Sequence, residues 1–228
     1  MVNDLAHVVI ALDGPSGSGK SSVARELAAR LGLRLLDTGA MYRALTWWCL
    51  HEGVPLADTE AVRSRAVALP LQIGTAADDR RVVVAGIDVT ELIRSAEVTG
   101  TVSVVAANLG VRAEMRRRQR EIIGSGGIVV EGRDITTVVA PDAEVRVLLT
   151  ASEEARLARR ARELHGRVDA ATLASTAESV LRRDAADAAV SQFESATDGA
   201  VMLDSTSMTL VEVVDLLEQL TRQAVGRG

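Results

Sequence analysis

A glycine-rich segment near the N-terminus carries the most specific chemistry in the sequence. The pattern G-x-x-x-x-G-K-S runs from Gly14 to Ser21, which is the pattern of a phosphate-binding loop. Glycines let the backbone turn its N–H groups toward an anion, Lys20 can reach the β- and γ-phosphates of ATP, and the Ser21 hydroxyl can help to hold Mg²⁺. The predicted ATP-binding residues are Gly14, Pro15, Ser16, Gly17, Ser18, Gly19, Lys20, Ser21 and Ser22, with Ser21 as the metal ligand.

The segments on either side of this loop provide the context that it needs. The apolar run from Val8 to Leu12 predicts a buried strand, and Val23, Leu27 and Leu31 recur at helical spacing before Gly32. A helix in this position adds the positive end of its dipole to the phosphate site. The loop alone is shared by kinases, GTPases and motors, but the sequence lacks an N-K-x-D motif for reading guanine, which disfavours a GTPase.

Strand and helix patterns alternate along the rest of the chain. Further strands are predicted at 33–36, 128–130, 145–149 and 201–203, and helices at 40–51, 114–123 and 152–164 and after Thr209, where Glu212 completes capping-box spacing. The alternation predicts an α/β fold, with a five-stranded parallel sheet, helices on both faces, and ligands beyond the carboxyl ends of the strands.

Two stretches depart from this alternation. Residues 71–74 and 81–85 predict two short strands around a polar turn, which we interpret as an insertion. Residues 165–176 are small and polar, and predict a mobile loop.

The composition narrows the possible classes of protein. The 228 residues are 47% hydrophobic but only 2% aromatic, so we expect one domain with an aliphatic core. The net charge of −5 disfavours binding to a nucleic acid polymer. The single cysteine, Cys49, predicts a core residue and fits a reducing cytoplasm. Neither a signal peptide nor an apolar run of the ~20 residues that a membrane span needs is visible, and we expect a cytoplasmic monomer.

A second candidate site follows the second predicted strand, in the segment Leu36-Asp37-Thr38-Gly39-Ala40-Met41-Tyr42-Arg43. The Thr38 hydroxyl and the Arg43 guanidinium are groups that could bind a monophosphate dianion. A lone arginine on a helix is more often solvated or paired with a carboxylate, so the spacing by itself only suggests an acceptor site.

These segments together resemble the bacterial cytidylate kinases (CMP/dCMP kinases). The resemblance runs in family order through residues 13–22, 36–43, 86–94, 111–120, 130–134, 183–187 and 203–206. A shikimate-kinase-like protein would instead carry an acidic pair just after the second strand, where this chain has Asp37-Thr38-Gly39. The resemblance implies a P-loop kinase fold that transfers phosphate from ATP, with Mg²⁺, to CMP and dCMP.

The resemblance also implies an organisation and a set of site residues. It implies one domain over residues 1–228, with a core at 1–65 and 99–228, a nucleoside-monophosphate-binding insert at about 66–98 and a small lid at about 156–176. The implied substrate-binding residues are Thr38, Arg43, Ser103, Arg112, Arg133, Asp134, Arg183 and Asp187. The implied catalytic residues are Lys20, Arg133, Arg156, Arg159 and Arg160.

Structural interpretations stand beside several of these assignments. Arg116, Arg117, Arg118 and Arg120 are expected to form a mostly solvated helix face. Asp13 and Asp204 are expected to be structural partners of backbone or arginine groups. Glu131 could belong to the Mg²⁺ shell, hold an arginine, or be purely structural.

Two departures from the family pattern concern the acceptor. The family carries an arginine where this chain has Val190, and a glycine where it has Thr136. Losing one charge-assisted contact costs about 1.5–3 kcal/mol, or roughly ten- to a hundredfold in affinity. A kinase for another small acceptor and an ATP-binding paralogue without turnover therefore remain alternatives to a CMP/dCMP kinase.

Overall fold

A computed structural model describes residues 5–188 and 198–226. The strands are β1 (Val9–Asp13), β2 (Arg34–Asp37), β3 (Leu71–Ile73), β4 (Val82–Val84), β5 (Ile87–Asp88), β6 (Ile128–Gly132), β7 (Val145–Thr150) and β8 (Val201–Asp204). The α-helices are α1 (Lys20–Leu31), α2 (Thr38–His51), α3 (Thr59–Ala68), α4 (Ala96–Ala107), α5 (Leu109–Ile123), α6 (Glu153–His165), α7 (Ala170–Ala188) and α8 (Leu210–Val225). A 3₁₀ turn spans Leu92–Arg94, and a π-helical turn spans Ile135–Val139.

The central sheet has five parallel strands in the order β2-β6-β1-β7-β8, as the sequence predicts. The middle strand β1 is buried on both faces, which explains its continuous apolar sequence. The register pairs Asp13 with Gly132 and Asp37 with Glu131, so the carboxyl ends of three strands meet at one edge. Since the chain crosses from one side of β1 to the other between β6 and β7, this edge is where such sheets bind ligands.

Helices cover both faces of the sheet, again as predicted. On one face, a cluster that includes Leu36, Met41 and Met115 packs α2 and α5 against the strands. On the other, Leu27 and Leu217 bring α1 and α8 together. The cores are aliphatic, and Cys49 is fully buried in the first of them, where burial raises the pKa of its thiol to about 11 and keeps it protonated.

A second, three-stranded antiparallel sheet, β3-β4-β5, forms the interruption that the sequence indicates. The turn between β3 and β4 returns to the central sheet, where the backbone N–H of Leu35 donates to the Thr75 carbonyl at 2.7 Å. Because β2 is an edge strand, this bond satisfies an amide that would otherwise be left unpaired. The small sheet is therefore held beside the carboxyl-end edge of β2.

The predicted mobile loop at 165–176 is wrong. Helix α6 continues to His165 and ends at Gly166, which takes a left-handed conformation, and α7 begins only four residues later. The Asp169 carboxylate accepts from the Thr172 N–H, and the Thr172 hydroxyl accepts from the Asp169 N–H, each at 2.9 Å. The small polar residues are thus the cap and first turn of a helix rather than a loop.

The sequence patterns do not predict helices α3 and α4, which precede and follow the small sheet along the chain. The alanine, threonine and valine content of α4 gives it a weak helical pattern, and Ser95 caps it by accepting from the Val98 N–H. Across residues 5–188 and 198–226, none of the helices is long and apolar enough to cross a membrane.

Candidate active site

The phosphate-binding loop connects β1 directly to α1. Gly17 and Gly19 have φ of 77° and 92°, and a Cβ on Gly17 would lie 2.4 Å from the Arg156 carbonyl oxygen. The loop therefore needs glycine both for its backbone conformation and for the close approach of α6. Gly19 precedes α1 and gives it no side-chain cap, which leaves the first amides of the helix available to an anion.

One cavity of about 660 Å³ joins this loop to the acceptor segment. Its walls include Ser16, Gly17, Ser18, Gly19, Lys20, Ser21 and Ser22 on the loop side. They also include Thr38, Arg43, Ser103, Arg112, Arg133, Asp134, Arg159 and Arg160. The fold therefore brings predicted donor and acceptor residues from six separate segments of the chain into one space.

The carboxylate of Glu131 lies directly beside the loop. The Ser21 hydroxyl donates to Glu131 Oε1 at 2.6 Å, and Lys20 Nζ donates to the Pro15 carbonyl at 3.4 Å. Burial and the charge of Asp37 raise the pKa of Glu131, although Lys20 and the Ser21 hydroxyl oppose that rise. A hydroxyl and a carboxylate are oxygen donors of the kind that Mg²⁺ prefers, so this pair fits the metal.

Two arginines share a single carboxylate on the acceptor side. Arg43 Nη2 lies 3.0 Å from Asp37 Oδ2, and Arg94 Nη2 lies 3.9 Å from the same oxygen. Burial alone would raise the pKa of Asp37, but the charges of Arg43, Arg94 and Lys20 and the Ala40 amide hold it below its ordinary value. Burial lowers the pKa of Arg94, and Arg43 lowers it further. The Arg43–Arg94 cluster, which consists of these two arginines and Asp37, carries excess positive charge that an anion would neutralise.

A buried donor of this cluster also indicates an anion site. Within the described residues, Arg43 Nε is buried and has no hydrogen-bond partner. Such a group costs free energy until a ligand or water accepts from it. The Thr38 hydroxyl, in contrast, donates to the Glu131 carbonyl at 2.8 Å, so its proton is already used.

A second carboxylate, Asp134, binds two arginines of α5. Arg112 Nη2 donates to Asp134 Oδ2 at 2.7 Å, while Arg116 contacts the same oxygen through Nε at 3.2 Å and Nη2 at 2.9 Å. Arg112 and Asp134 are both buried, at 5% and 7% exposure. The two predicted substrate-binding residues are therefore partners of each other along the cavity wall.

Three of the four predicted catalytic arginines donate to carbonyl groups of the phosphate-binding loop. Arg133 donates to the Gly14 carbonyl, and Arg156 Nη1 donates to the Ser16 carbonyl at 3.0 Å. Arg159 donates to the Ser18 carbonyl at 3.1 Å and to the Ser205 carbonyl at 2.6 Å. Arg160 pairs with Glu163 at 2.8 Å and lines the cavity. The guanidinium groups thus surround the place that the loop offers to phosphate.

A sequence profile of the cytidylate kinase family matches residues 10–223. The chain belongs to the cytidylate kinase family. A cytidylate kinase of Streptomyces avermitilis is 44% identical over 219 residues, which cover 95% of this chain and 93% of the relative. Another, of Cutibacterium acnes, is 46% identical over 215 residues, covering 93% and 95%. A third, of a Geobacillus strain, is 41% identical over 222 residues, covering 96% and 99%.

Some family positions lie where the structure gives no side chain. Arg183 and Asp187 belong to α7, but their side chains fall outside the described part of the structure. Val190, which stands where the family has an arginine, lies outside the described residues altogether. Arg94, Asp37 and Asp184 are not among the predicted site residues, although the family-like segments 36–43, 86–94 and 183–187 contain all three.

The expectation of a mostly solvated arginine face on α5 holds for two of the four arginines and fails for the other two. Arg116 binds Asp134, as described above, and Arg118 donates to the carbonyls of Leu69, Ala66 and Val67. Arg120 donates to the carbonyls of Val138 and Val139. Arg117, whose side chain is 53% exposed, and Arg120, which is also exposed, match the expectation, whereas Arg116 and Arg118 are partly buried. The helix uses its guanidinium groups to satisfy carbonyl groups at the ends of neighbouring elements.

Asp13 has the structural role that the sequence suggests. Its carboxylate is 1% exposed and accepts from the N–H groups of Ile135 and Thr136, at 3.0 and 2.8 Å, and from the Thr136 hydroxyl at 2.7 Å. Burial raises the pKa of Asp13 although these bonds oppose the rise. The departure from the family at Thr136 therefore supplies a third donor to a buried carboxylate that fixes the turn after Arg133 and Asp134.

Replacing Thr136 tests the value of that third bond. In Thr136→Val, the buried carboxylate loses a donor, and we expect the free energy of unfolding to fall by about 1–3 kcal/mol. The lost bond raises the pKa of folded Asp13 further. The loss of unfolding free energy should therefore be larger at about pH 8, where the Asp13 carboxylate must be charged. It should be smaller at low pH, where Asp13 is protonated in both the folded and the unfolded protein. Urea unfolding at both pH values measures the difference. The control Thr136→Ser keeps the hydroxyl and should lose less unfolding free energy than Thr136→Val. Equal losses in the two variants would contradict the role of the hydroxyl as a donor to Asp13.

Proposed function

We propose that this protein transfers the γ-phosphoryl group of ATP to the phosphate of CMP or dCMP, which forms ADP and CDP or dCDP. The observation that carries the proposal is the single cavity that joins the phosphate-binding loop to the Arg43–Arg94 cluster. Membership of the cytidylate kinase family, and the names of relatives that align along nearly their whole length, support the choice of acceptor.

On the donor side, the loop amides and Lys20 bind the β- and γ-phosphates of ATP. Ser21, with Glu131 beside it, would hold Mg²⁺, which supplies neutralisation of phosphate charge when it is bound. The Glu131 carboxylate accepts a hydrogen bond from the Ser21 hydroxyl. This bond points the lone pairs of the hydroxyl oxygen away from the carboxylate.

On the acceptor side, Arg43 and Arg94 bind the CMP phosphate, with Asp37 holding the two guanidinium groups in place. An oxygen of that phosphate attacks the γ-phosphorus, and the bond from the γ-phosphorus to the β,γ-bridging oxygen breaks. A phosphate monoester is largely a dianion at pH 7, so its oxygen needs no general base. The protein's contribution is therefore position and charge, as in other phosphoryl transfers.

The remaining predicted residues complete the proposal. Arg133 and Arg156, which lie at the loop, neutralise the charge that develops on the transferred group. Arg112, Asp134 and Ser103 bind the nucleoside, together with Arg183 and Asp187. Residues 66–98 form the monophosphate-binding insert, and a lid at about 156–176 closes over ATP and excludes water. We expect the enzyme to act as a cytoplasmic monomer.

An acceptor panel tests the proposal. With ATP and Mg²⁺ held constant, ADP formation should depend on CMP or dCMP and should be at least about tenfold more efficient with these than with UMP or AMP. A different leading acceptor would identify a kinase for another substrate. ATP binding without any acceptor-dependent ADP would identify a paralogue that has lost turnover.

The raised pKa of Glu131 predicts a specific pH dependence. Burial and the charge of Asp37 raise the pKa of Glu131 above its ordinary value of 4.5. As the solution is acidified, this carboxylate therefore becomes protonated at a higher pH than an ordinary glutamate. The acid limb of kcat/KM for ATP should therefore lie above pH 4.5, and Glu131→Gln should remove that limb and lower the plateau by about tenfold. The exposed-site control Glu26→Gln should leave the profile unchanged. An acid limb that persists in Glu131→Gln would assign it to another group.

A further inference from the structure

One carboxylate of α7 reaches the phosphate-binding loop. Oδ1 of Asp184 accepts a hydrogen bond from the backbone N–H of Ser16 at 3.0 Å. The two residues lie 168 positions apart in the sequence, and the Asp184 side chain is only 15% exposed. This bond ties the helix that follows the lid region directly to the loop that binds phosphate.

The same carboxylate binds two guanidinium groups. Arg133 Nη2 lies 3.4 Å from Asp184 Oδ1, and Arg156 Nη1 donates to Asp184 Oδ2. Arg133 follows β6, while Arg156 lies in the first turn of α6, so neither element places the two side chains together by itself. Both arginines are largely buried, with side-chain exposures of 15% and 11%. Asp184 is the acceptor that they share.

The charges explain why a shared acceptor is needed. Two guanidinium groups that approach one loop repel each other, and long side chains lose rotamer freedom when they are held. A carboxylate between them offsets the repulsion and fixes both forks, while one net positive charge remains for the phosphates. Groups fixed before the reaction stabilise developing charge without reorganising during it.

We propose that Asp184 is a positioning residue for phosphoryl transfer, which holds Arg133 and Arg156 against the phosphate-binding loop. The inference rests on the proposed kinase activity. Asp184 acts through the two arginines and the Ser16 amide, so it binds no substrate itself. A carboxylate that instead competed with phosphate for the Ser16 amide would have the opposite effect, since its removal would strengthen ATP binding.

The test is Asp184→Asn, which keeps the size of the side chain and removes its charge. We expect kcat to fall about 10- to 50-fold, while KM for CMP and for ATP stay within about threefold and the melting temperature within a few degrees. Asp184→Glu should recover part of kcat that Asp184→Ala loses. In an Arg156→Ala background, Asp184→Asn should cost much less than in the wild type, because the two residues act together.

A matched control removes another carboxylate that pairs with an arginine, at a distance from the loop. Oδ1 of Asp215, on α8, lies 2.5 Å from Arg30 Nη1. The variant Asp215→Asn should leave kcat unchanged. Unchanged kcat in Asp184→Asn, or tighter ATP binding by that variant, would overturn the inference. So would a loss of kcat that Asp184→Glu does not relieve and that is the same with or without Arg156.

A second measurement does not depend on turnover. In protein labelled with ¹⁵N-arginine, hindered rotation of the Arg133 and Arg156 guanidinium groups should give distinct Nη signals, identified by their loss in Arg133→Lys and Arg156→Lys. Asp184→Asn should average these signals, and their persistence would overturn the placement. If the wild type formed no ADP in response to CMP, the proposed function would fail, while these signals would still decide the role of Asp184 in holding the arginines.

Discussion

Lys20→Ala should abolish the CMP-dependent formation of ADP while the fold survives. The ε-ammonium of Lys20 is the only loop side chain that can carry a full positive charge to the β- and γ-phosphates. Removing one such stabilising group from a desolvated site costs on the order of a thousandfold in kcat, or about 4 kcal/mol. A steady-state assay with saturating CMP measures the loss.

The fold should tolerate this change. The hydrogen bond from Lys20 Nζ to the Pro15 carbonyl is long at 3.4 Å, and the residue is only partly buried at the start of α1. We therefore expect the melting temperature to stay within about 3 °C of the wild type. Lys20→Arg is the matched control, since it keeps the charge but spreads it over a planar fork. Near wild-type turnover in Lys20→Ala would mean that the loop does not bind the transferred phosphate.

The sequence offers an independent way to test the same residue. Lys20 is the only lysine among the 228 residues. A reagent that modifies amines will therefore report on this side chain and on the N-terminal amine alone. Saturating ATP should protect Lys20 from modification, and the degree of modification measured by peptide mass spectrometry should follow the loss of activity.

The phosphate-binding loop could be predicted from sequence because its determinants are local. The glycines, Lys20 and Ser21 are contiguous, and the strand and helix beside them have clear periodicity. The parallel sheet could be predicted for the same reason, since the core strands are short and largely apolar. Resemblance to a family then implied most of the acceptor residues, and these stay predictions.

The contacts that organise the site could not be predicted in the same way. The bond from Ser16 to Asp184 depends on how α7 packs, and the small polar residues at the start of α7 predict a loop instead of a helix. The directions of Arg118 and Arg120 depend on which carbonyl groups neighbouring elements leave open. Side-chain pairing of this kind is a property of the packed structure rather than of the helical pattern of α5.

The structure also gives a physical account of one departure from the family and a candidate compensation for the other. The hydroxyl of Thr136 is used by buried Asp13, so this substitution acts on the turn after β6. Because this chain has Val190 where the family has an arginine, it lacks one positive charge at that position. Arg94, which shares Asp37 with Arg43 and is only weakly paired at 3.9 Å, is a positive charge available for the acceptor phosphate.

Arg94→Ala should therefore raise KM for CMP by about ten- to a hundredfold, because it removes a charge-assisted contact worth about 1.5–3 kcal/mol. The values of kcat and of KM for ATP should change by less than about threefold, since Arg94 pairs with Asp37 in the cluster that we propose binds the CMP phosphate. Arg81→Ala is the matched control: Arg81 belongs to the same part of the chain, but it is 74% exposed and pairs with Asp79.

A reciprocal substitution makes this test sharper. If Arg94 supplies the charge that the family arginine would otherwise provide, Val190→Arg should lower the raised KM for CMP of Arg94→Ala and should have a smaller effect in the wild type, where the phosphate already has two cationic partners. Equal effects in the two backgrounds would show that the positions act independently. An unchanged KM for CMP in Arg94→Ala would mean that Arg43 holds the phosphate without Arg94. The exchange of one arginine for another would then fail as an explanation of how this chain tolerates Val190.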